Sequence, residues 1–500
     1  MRKIPATMAS QHPDHANIPF WHNDAFITVH DEYEETYLAY SELGIDEYKW
    51  DWEGKLVDES VMERLLGNYY QYFKDNPLGK EKFLTFRLPN PKAETEFRLA
   101  RAFINLLSAA ALSKKVGLYS PPLFEVILPM TETAEEMMAI QEAFKEISDI
   151  KHELLRFNEM AAVELEVIPL IEQVDKIIHS DEILEKYVQM YKKRFKKTPE
   201  YLRPYTARSD PALNSGMVPT VLAIKIALSR YKKFEKKTGI KLFPIIGTAM
   251  LPFRGGLRPD DVASFVNEYR GMRTALIQSA FRYDFDKDVV IKGIKELNTL
   301  LPKGEARDVT ATEEKILINI IPAFEKAYRE VIEEIAPLIN TLAGMLPKRR
   351  ERVQHIGLFG YSRGMGKVTL PRAIGFTAAL YSIGIPPELI GTGRGLKKLK
   401  KDELKVLEKT YLNFKKDILI AGGYLNKENL EKLSKQYPQL VKVKEDIAFL
   451  EEYFGEKLGP KTLEEKEHQI LTSKIADGLK KDKNLTDLIL RAAKLRKSLG

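Results

Sequence analysis

Short apolar, β-branched and aromatic runs recur along the chain, and each ends in a polar or charged residue. They are EYKWDWEGK (47–55), KFLTFRLPN (82–90), LFEVILPMTE (123–132), ELEVIPLIE (164–172), YLRPYTARSD (201–210), LFPIIGTAM (242–250), TALIQSAFRYD (274–284) and VQHIGLFGYSR (353–363). Runs of this length and composition predict strands. Between most of them lie longer segments with apolar residues three and four apart, such as AETEFRLARAFINLLSAAALSKK and ATEEKILINIIPAFEKAYREVIEEIAPLINTLA, which predict helices. Strands alternating with helices imply parallel β-α units, and eight of them imply a closed (β/α)8 barrel, with an open doubly wound sheet as the competing α/β arrangement. From about Val368 the pattern is helical almost to Gly500, interrupted at PPELIG and at Gly422-Gly423. We therefore read one unit over 1–500, with a barrel core over roughly 45–365 and a helical elaboration over roughly 366–500. No internal repeat or low-complexity linker divides it.

Composition narrows the chemistry. A 44% hydrophobic and 30% charged content is that of a soluble globular chain. The absence of cysteine excludes disulfides, thiolate-ligated metals and thiol nucleophiles, so any metal must be held by carboxylates or histidines. The N-terminal stretch lacks the apolar core of a signal peptide, and the longest apolar stretches fall short of the ~20 residues a membrane span needs. A cytoplasmic protein with no membrane partner is expected. The net charge of +7 is modest, and the basic clusters at 192–197, 230–237 and 397–405 alternate with acidic and apolar residues at helical spacing. They read as solvated helix faces, with no nucleic-acid partner, although a mildly positive field favours small anionic substrates.

One segment looks like a phosphate-binding loop and departs from its rules. In YSRGMGKVTLPRA (361–373), Gly366-Lys367 is followed by Val368 rather than Ser or Thr, and Gly360 lies one residue too far upstream for a P-loop. GTGRG (391–395) has no strand before it, so we read it as a turn.

In a barrel of this type chemistry belongs to the loops after the strands' C-terminal ends. Glu172 and Asp210 end adjacent predicted strands, where two carboxylates repel unless a cation or shared proton neutralises them. A hard divalent ion suits such a pair, since it leaves positions for water and substrate oxygens. Each has a plainer reading: Asp210 precedes Pro-Ala and taken alone reads first as a helix N-cap, while Glu172 alone reads equally well as a surface ion pair. Arg254, Arg363 and Arg372 stand beside glycines or at a turn; singly they suit structural ion pairs, and together near a metal pair they suit a multiply charged anion. Arg87 closes its run. His12 precedes any run recognisable as a strand, and packed near an anion it could carry a proton.

In order and spacing, MRKIPATMASQHPDHAN, YKWDWEGK, EVILPMTETAEE, EVIPLIEQVD, YTARSDPALNSG, FRGG, GYSRGMGKVTLPRAIGF and KLRKSLG together resemble phosphoenolpyruvate carboxylase, most closely its short archaeal type. The resemblance implies a (β/α)8 barrel with added helices and a lyase that joins phosphoenolpyruvate and bicarbonate to give oxaloacetate and phosphate, replenishing the tricarboxylic acid cycle. It also implies a Mg²⁺ or Mn²⁺ cofactor and a homotetramer. By motif it implies Glu172 and Asp210 as metal ligands, His12 for the carboxylation half-reaction and Arg254 at the bicarbonate site. Arg363 and Arg372 are implied as phosphate ligands flanking a glycine-rich loop that contains Gly364, Gly366 and Lys367, and Arg87 as a further phosphate ligand. The alternative is another Mg-dependent barrel enzyme acting on phosphoenolpyruvate, pyruvate or oxaloacetate. Leu213 and Thr248 stand where the longer bacterial and plant enzymes have lysine and arginine, so compensating charge is expected elsewhere, with Arg208 and Arg203 as candidates.

Overall fold

The computed structural model describes residues 2–92, 94, 97–150, 164–351, 368–479 and 484–500. Eight parallel strands close into a barrel: β1 (Thr7–Ser10), β2 (Glu47–Asp51), β3 (Phe83–Arg87), β4 (Glu125–Leu128), β5 (Glu166–Ile171), β6 (Tyr205–Thr206), β7 (Ile245–Ile246) and β8 (Thr274–Ile277). Each strand pairs with its neighbours in sequence. Closure comes from β1, which aligns Met8 with Leu276 of β8 and Ser10 with Lys49 of β2.

The barrel and the helical character of the C-terminal part agree with the sequence reading, but the strands are shifted along the chain. Seven of the eight predicted runs contain barrel strands. The eighth barrel strand is the TMAS segment at the beginning of the chain, and the run at 353–363 lies outside the described residues. The runs at 201–210 and 242–250 are each interrupted by a proline, Pro204 and Pro244, which donates no ladder hydrogen bond. Each is thereby split: Tyr201–Leu202 pairs with Lys241–Leu242, and the ladder resumes as β6 and β7. The GTGRG segment is another difference, because it opens a short helix, Thr392–Lys397, instead of a turn. Its amides at Gly391 and Arg394 donate to the buried Asp446 carboxylate. A Cβ at Gly393 would lie 2.1 Å from the Asp446 carbonyl oxygen, so this approach requires glycine.

Strand alternation sorts the barrel's two faces. Tyr48, Trp50, Phe86, Val126 and Val167 point outward into the core shared with the surrounding helices. Met8, Ile127, Ile168, Leu170, Tyr205, Ile245 and Leu276 pack together inside. Beneath this apolar layer, at the strands' N-terminal ends, Arg203 pairs with Glu47 at 2.6 Å and Glu125 at 2.5 Å, and donates to Thr274 at 3.1 Å. All four side chains are buried, so this is a charged floor shut off from water. Replacing Arg203 by Ala should lower stability by about 3–5 kcal/mol, read by chemical denaturation, because it leaves the buried Glu47 carboxylate without its cation and removes one of the two arginines on Glu125.

Outside the barrel, Ala311–Ala343 forms a 33-residue helix started by a Thr310/Glu313 capping box. It packs against Met217–Thr238, Ala373–Ser382 and Lys401–Thr410, and so ties the barrel to the C-terminal helices. Among the described residues no helix is long and apolar enough to cross a membrane.

Candidate active site

The mouth at the strands' C-terminal ends gathers charged groups from most of the barrel. Glu172 directly follows β5 and keeps the inward parity of Ile168 and Leu170. Asp210 lies in the first turn of the helix Ser209–Ser215, just beyond β6, with Arg208 at the cap position. The capping reading of Asp210 is therefore not what forms. Main-chain pairing of Ala207 with Ile171 sets these two strand ends side by side. The charges of Glu172 and Asp210 both act on the Tyr205 hydroxyl. Burial raises its pKa above the ordinary tyrosine value, Arg87 opposes this, and Asp51, Glu172 and Asp210 add to it.

Arg254 sits in a tight 3-10 turn after β7, Pro252–Arg254. Its guanidinium is buried and meets Asp14 at 3.2 Å, Gln278 at 2.6 Å, Ser209 at 3.1 Å and the main-chain oxygen of Gly500. Burial lowers its pKa, opposed by Asp14 and then Asp210. The turn is gripped from both sides. Arg208 donates to the carbonyl oxygens of Phe253 (2.9 Å) and Pro252 (3.0 Å), and Glu388 accepts from the Phe253 amide at 2.8 Å. Gly255 has φ +129, and a Cβ there would lie 2.4 Å from Thr248 Oγ1 and 3.2 Å from its Cα. Gly255→Ala should therefore displace Arg254. A loss of turnover larger than the loss of thermal stability is the expected result, measured by steady-state kinetics beside a melting curve.

His12 lies two residues past β1, in a loop pinned to the end of β8: Asp14 accepts from the Ala280 amide at 2.7 Å, and Ser279 Oγ donates to the His12 carbonyl at 2.8 Å. The His12 Nε2 is 3.2 Å from Lys49 Nζ, while its Nδ1 is buried with no hydrogen-bond partner among the described residues. Burial, then Lys49, hold the imidazole well below its usual pKa; Asp51 opposes them, and Arg87 and Arg254 reinforce them. Arg87 ends β3 facing inward, held by Asp51 at 2.8 Å and Glu53 at 2.6 Å. Burial raises the Asp51 pKa, but Arg87 and Lys49 outweigh it and keep Asp51 ionised.

Arg372 is exposed at the start of the helix Ala373–Ser382. That helix packs on the helix carrying Asp210, and Phe376 stacks on Phe253 at 5.6 Å. The structure thus brings His12, Arg87, Arg254, Glu172 and Asp210 to one mouth and sets Arg372 on an adjoining helix. Arg363, Gly364, Gly366 and Lys367 lie outside the described residues. The chain entering that segment is anchored by Arg350, which pairs with Glu32 at 2.8 Å and Glu35 at 2.7 Å. The proposed compensating arginines are elsewhere: Arg203 belongs to the barrel floor, and Arg208 is committed to the Arg254 turn.

Lys49, Asp51, Glu53 and Asp14 were not singled out from the sequence. A signal for three of them was present: in EYKWDWE every second residue is charged, which in a strand puts all the charges on one face. Among the described residues the mouth sets Lys49, Arg87 and Arg254 beside Asp14, Asp51, Glu53, Glu172 and Asp210. Carboxylate oxygen donors on adjacent strand ends suit a hard divalent cation. Among the described residues no three His, Asp or Glu side chains are grouped to enclose a metal.

A family model described as phosphoenolpyruvate carboxylase matches residues 4–500. The chain is 39% identical over 504 residues to a phosphoenolpyruvate carboxylase of Leuconostoc mesenteroides, covering 100% of this chain and 99% of that one. It is 39% identical over 521 residues to that of Metallosphaera sedula and 38% identical over 512 residues to that of Methanothermobacter thermautotrophicus, covering both partners completely in each case.

Proposed function

Because the chain belongs to the archaeal-type phosphoenolpyruvate carboxylase family and is an enzyme of that activity, we propose that its reaction runs at the barrel mouth with Glu172 and Asp210 as the ligands of a divalent cation. The observation that carries this reading is the pairing of Ala207 with Ile171, which sets Glu172 and Asp210 at adjacent strand ends, with Arg254 bonded to Ser209 beside Asp210. Mg²⁺ or Mn²⁺ bound there would supply positive charge to the substrate's phosphate and developing enolate oxygens.

The protein's own part is positioning and charge. Arg254, together with Arg363 and Arg372, binds the phosphate and carboxylate oxygens of phosphoenolpyruvate and bicarbonate, and Arg87 adds a further cation. Bicarbonate attacks phosphorus and breaks the bond to the enol oxygen, which gives carboxyphosphate and the enolate of pyruvate. His12 then takes the carboxyl proton of carboxyphosphate as CO₂ leaves, and the enolate carbon attacks CO₂ to give oxaloacetate; the proton finally passes to phosphate. Likeness to the family gives the glycine-rich segment Gly364 to Gly366, with Lys367, the role of excluding water, which would otherwise protonate the enolate to pyruvate. The likeness to the family supports a homotetramer, which sedimentation would test, and a cytoplasmic location.

A coupled assay with malate dehydrogenase and NADH tests the reading. NADH oxidation should require phosphoenolpyruvate, bicarbonate and the divalent ion together. Undiminished oxaloacetate formation by Glu172→Gln would remove the metal assignment.

A further inference from the structure

We propose that Lys49 is the proton partner of His12: it accepts the His12 Nε2 proton while Nδ1 takes a proton from the reacting carboxyl group. This rests on the reading of His12 as the proton carrier of the carboxylation step.

The geometry is specific. Lys49 is the central inward position of β2, between Glu47 in the floor and Asp51 at the mouth, and its side chain is fully buried. Its Nζ lies 3.2 Å from His12 Nε2 and 3.4 Å from Asp51 Oδ1. The same Asp51 oxygen is held more closely by Arg87, at 2.8 Å, and Arg87 also takes Glu53. The Lys49 ammonium is therefore poorly compensated for its burial. Burial and Arg87 destabilise the charged amine, Asp51 and Glu53 support it, and the balance falls at about 8.

His12 has the complementary problem. Burial and the cations Lys49, Arg87 and Arg254 that keep it neutral also oppose its becoming an imidazolium. A histidine so placed is a poor final resting place for a proton. A neutral lysine on its far nitrogen resolves this, because the amine lone pair accepts the Nε2–H and leaves the Nδ1 lone pair as the base. When the carboxyl O–H of carboxyphosphate gives its proton to Nδ1, the Nε2 proton passes to Nζ. The new positive charge then sits 3.4 Å from Asp51 instead of on the His12 ring. Return of the proton to the departing phosphate restores the pair, so no co-reactant is needed.

The test uses the full-length enzyme with Mg²⁺, phosphoenolpyruvate and bicarbonate, and quantifies phosphate, oxaloacetate and pyruvate separately from pH 6.5 to 9.5. Lys49 accepts a proton only as the neutral amine. Wild-type oxaloacetate formation should therefore rise as pH rises through about 8, and the ratio of oxaloacetate to pyruvate should rise with it. Lys49→Met and Lys49→Arg should each lower oxaloacetate formation by ~100-fold or more and shift product toward pyruvate, since neither side chain accepts a proton, and the dependence near pH 8 should vanish. Wild-type oxaloacetate output from Lys49→Arg would overturn the proposal, because a fixed cation would then suffice. If neither variant folds, the wild-type product ratio decides: a ratio flat between pH 7 and 9 contradicts the proposal. His12→Asn separates the two readings. Full oxaloacetate output from that variant would remove the His12 assignment itself, whereas its loss alongside normal Lys49 variants would remove only the role of Lys49.

Discussion

Asp210→Asn should reduce oxaloacetate formation by about 10³-fold or more, with a matching loss of Mn²⁺ affinity in a direct titration. The substitution keeps the size of the side chain and its place in the first turn of the Ser209–Ser215 helix, so the fold has little reason to change. What disappears is one of the two charged oxygen donors at adjacent strand ends. A metal acting on phosphoryl and enolate oxygens contributes several kcal/mol to the transition state, and a ligand whose loss weakens that metal forfeits a corresponding share. Glu172→Gln should behave alike. The pair should be less than additive, since either loss alone already removes the ion.

Arg254→Ala is the second large expected effect, with turnover falling by roughly 10²–10³-fold. Arg254 links three strand ends through Asp14 after β1, Ser209 after β6 and Gln278 after β8. Burial already raises the Asp14 pKa, and Arg254 is the leading influence against it. Truncation would leave that carboxylate buried without its cation, so a fall in thermal stability should accompany the loss of activity. Arg254→Lys should recover little of either, because an ammonium cannot reproduce the guanidinium's simultaneous contacts. Turnover and melting temperature, measured on both variants, check these expectations together.

The residues behind these predictions were legible in the sequence for a physical reason. In a parallel barrel every strand's C-terminal end faces one mouth, so the polar residue that stops each apolar run is already placed. Glu172, Asp210, Arg87 and Arg254 were found in this way. β1 was not: TMAS is four residues with one large apolar side chain, and its strand character comes from pairing with β2 and β8 rather than from its own composition. His12 consequently seemed to precede the fold, when it follows the strand that closes it. Lys49 and Asp51 escaped notice because the apolar run continues to Lys55, past the strand's end at Asp51. The partnership of Asp14 with Arg254 spans 240 positions, beyond any local pattern. Arg203 and Arg208 were expected to supply compensating charge at the site, but their partners lie in the floor and the Arg254 turn, which are assembled from distant segments.

Anomalous diffraction from crystals grown with Mn²⁺ and phosphoenolpyruvate measures the central claim most directly. One manganese peak is expected at the barrel mouth, bonded at about 2.0–2.3 Å to a carboxylate oxygen from each of Glu172 and Asp210, with the phosphate directed toward Arg87 and Arg372. A fully occupied manganese elsewhere in the molecule, with both carboxylates unligated while substrate is bound, would contradict it.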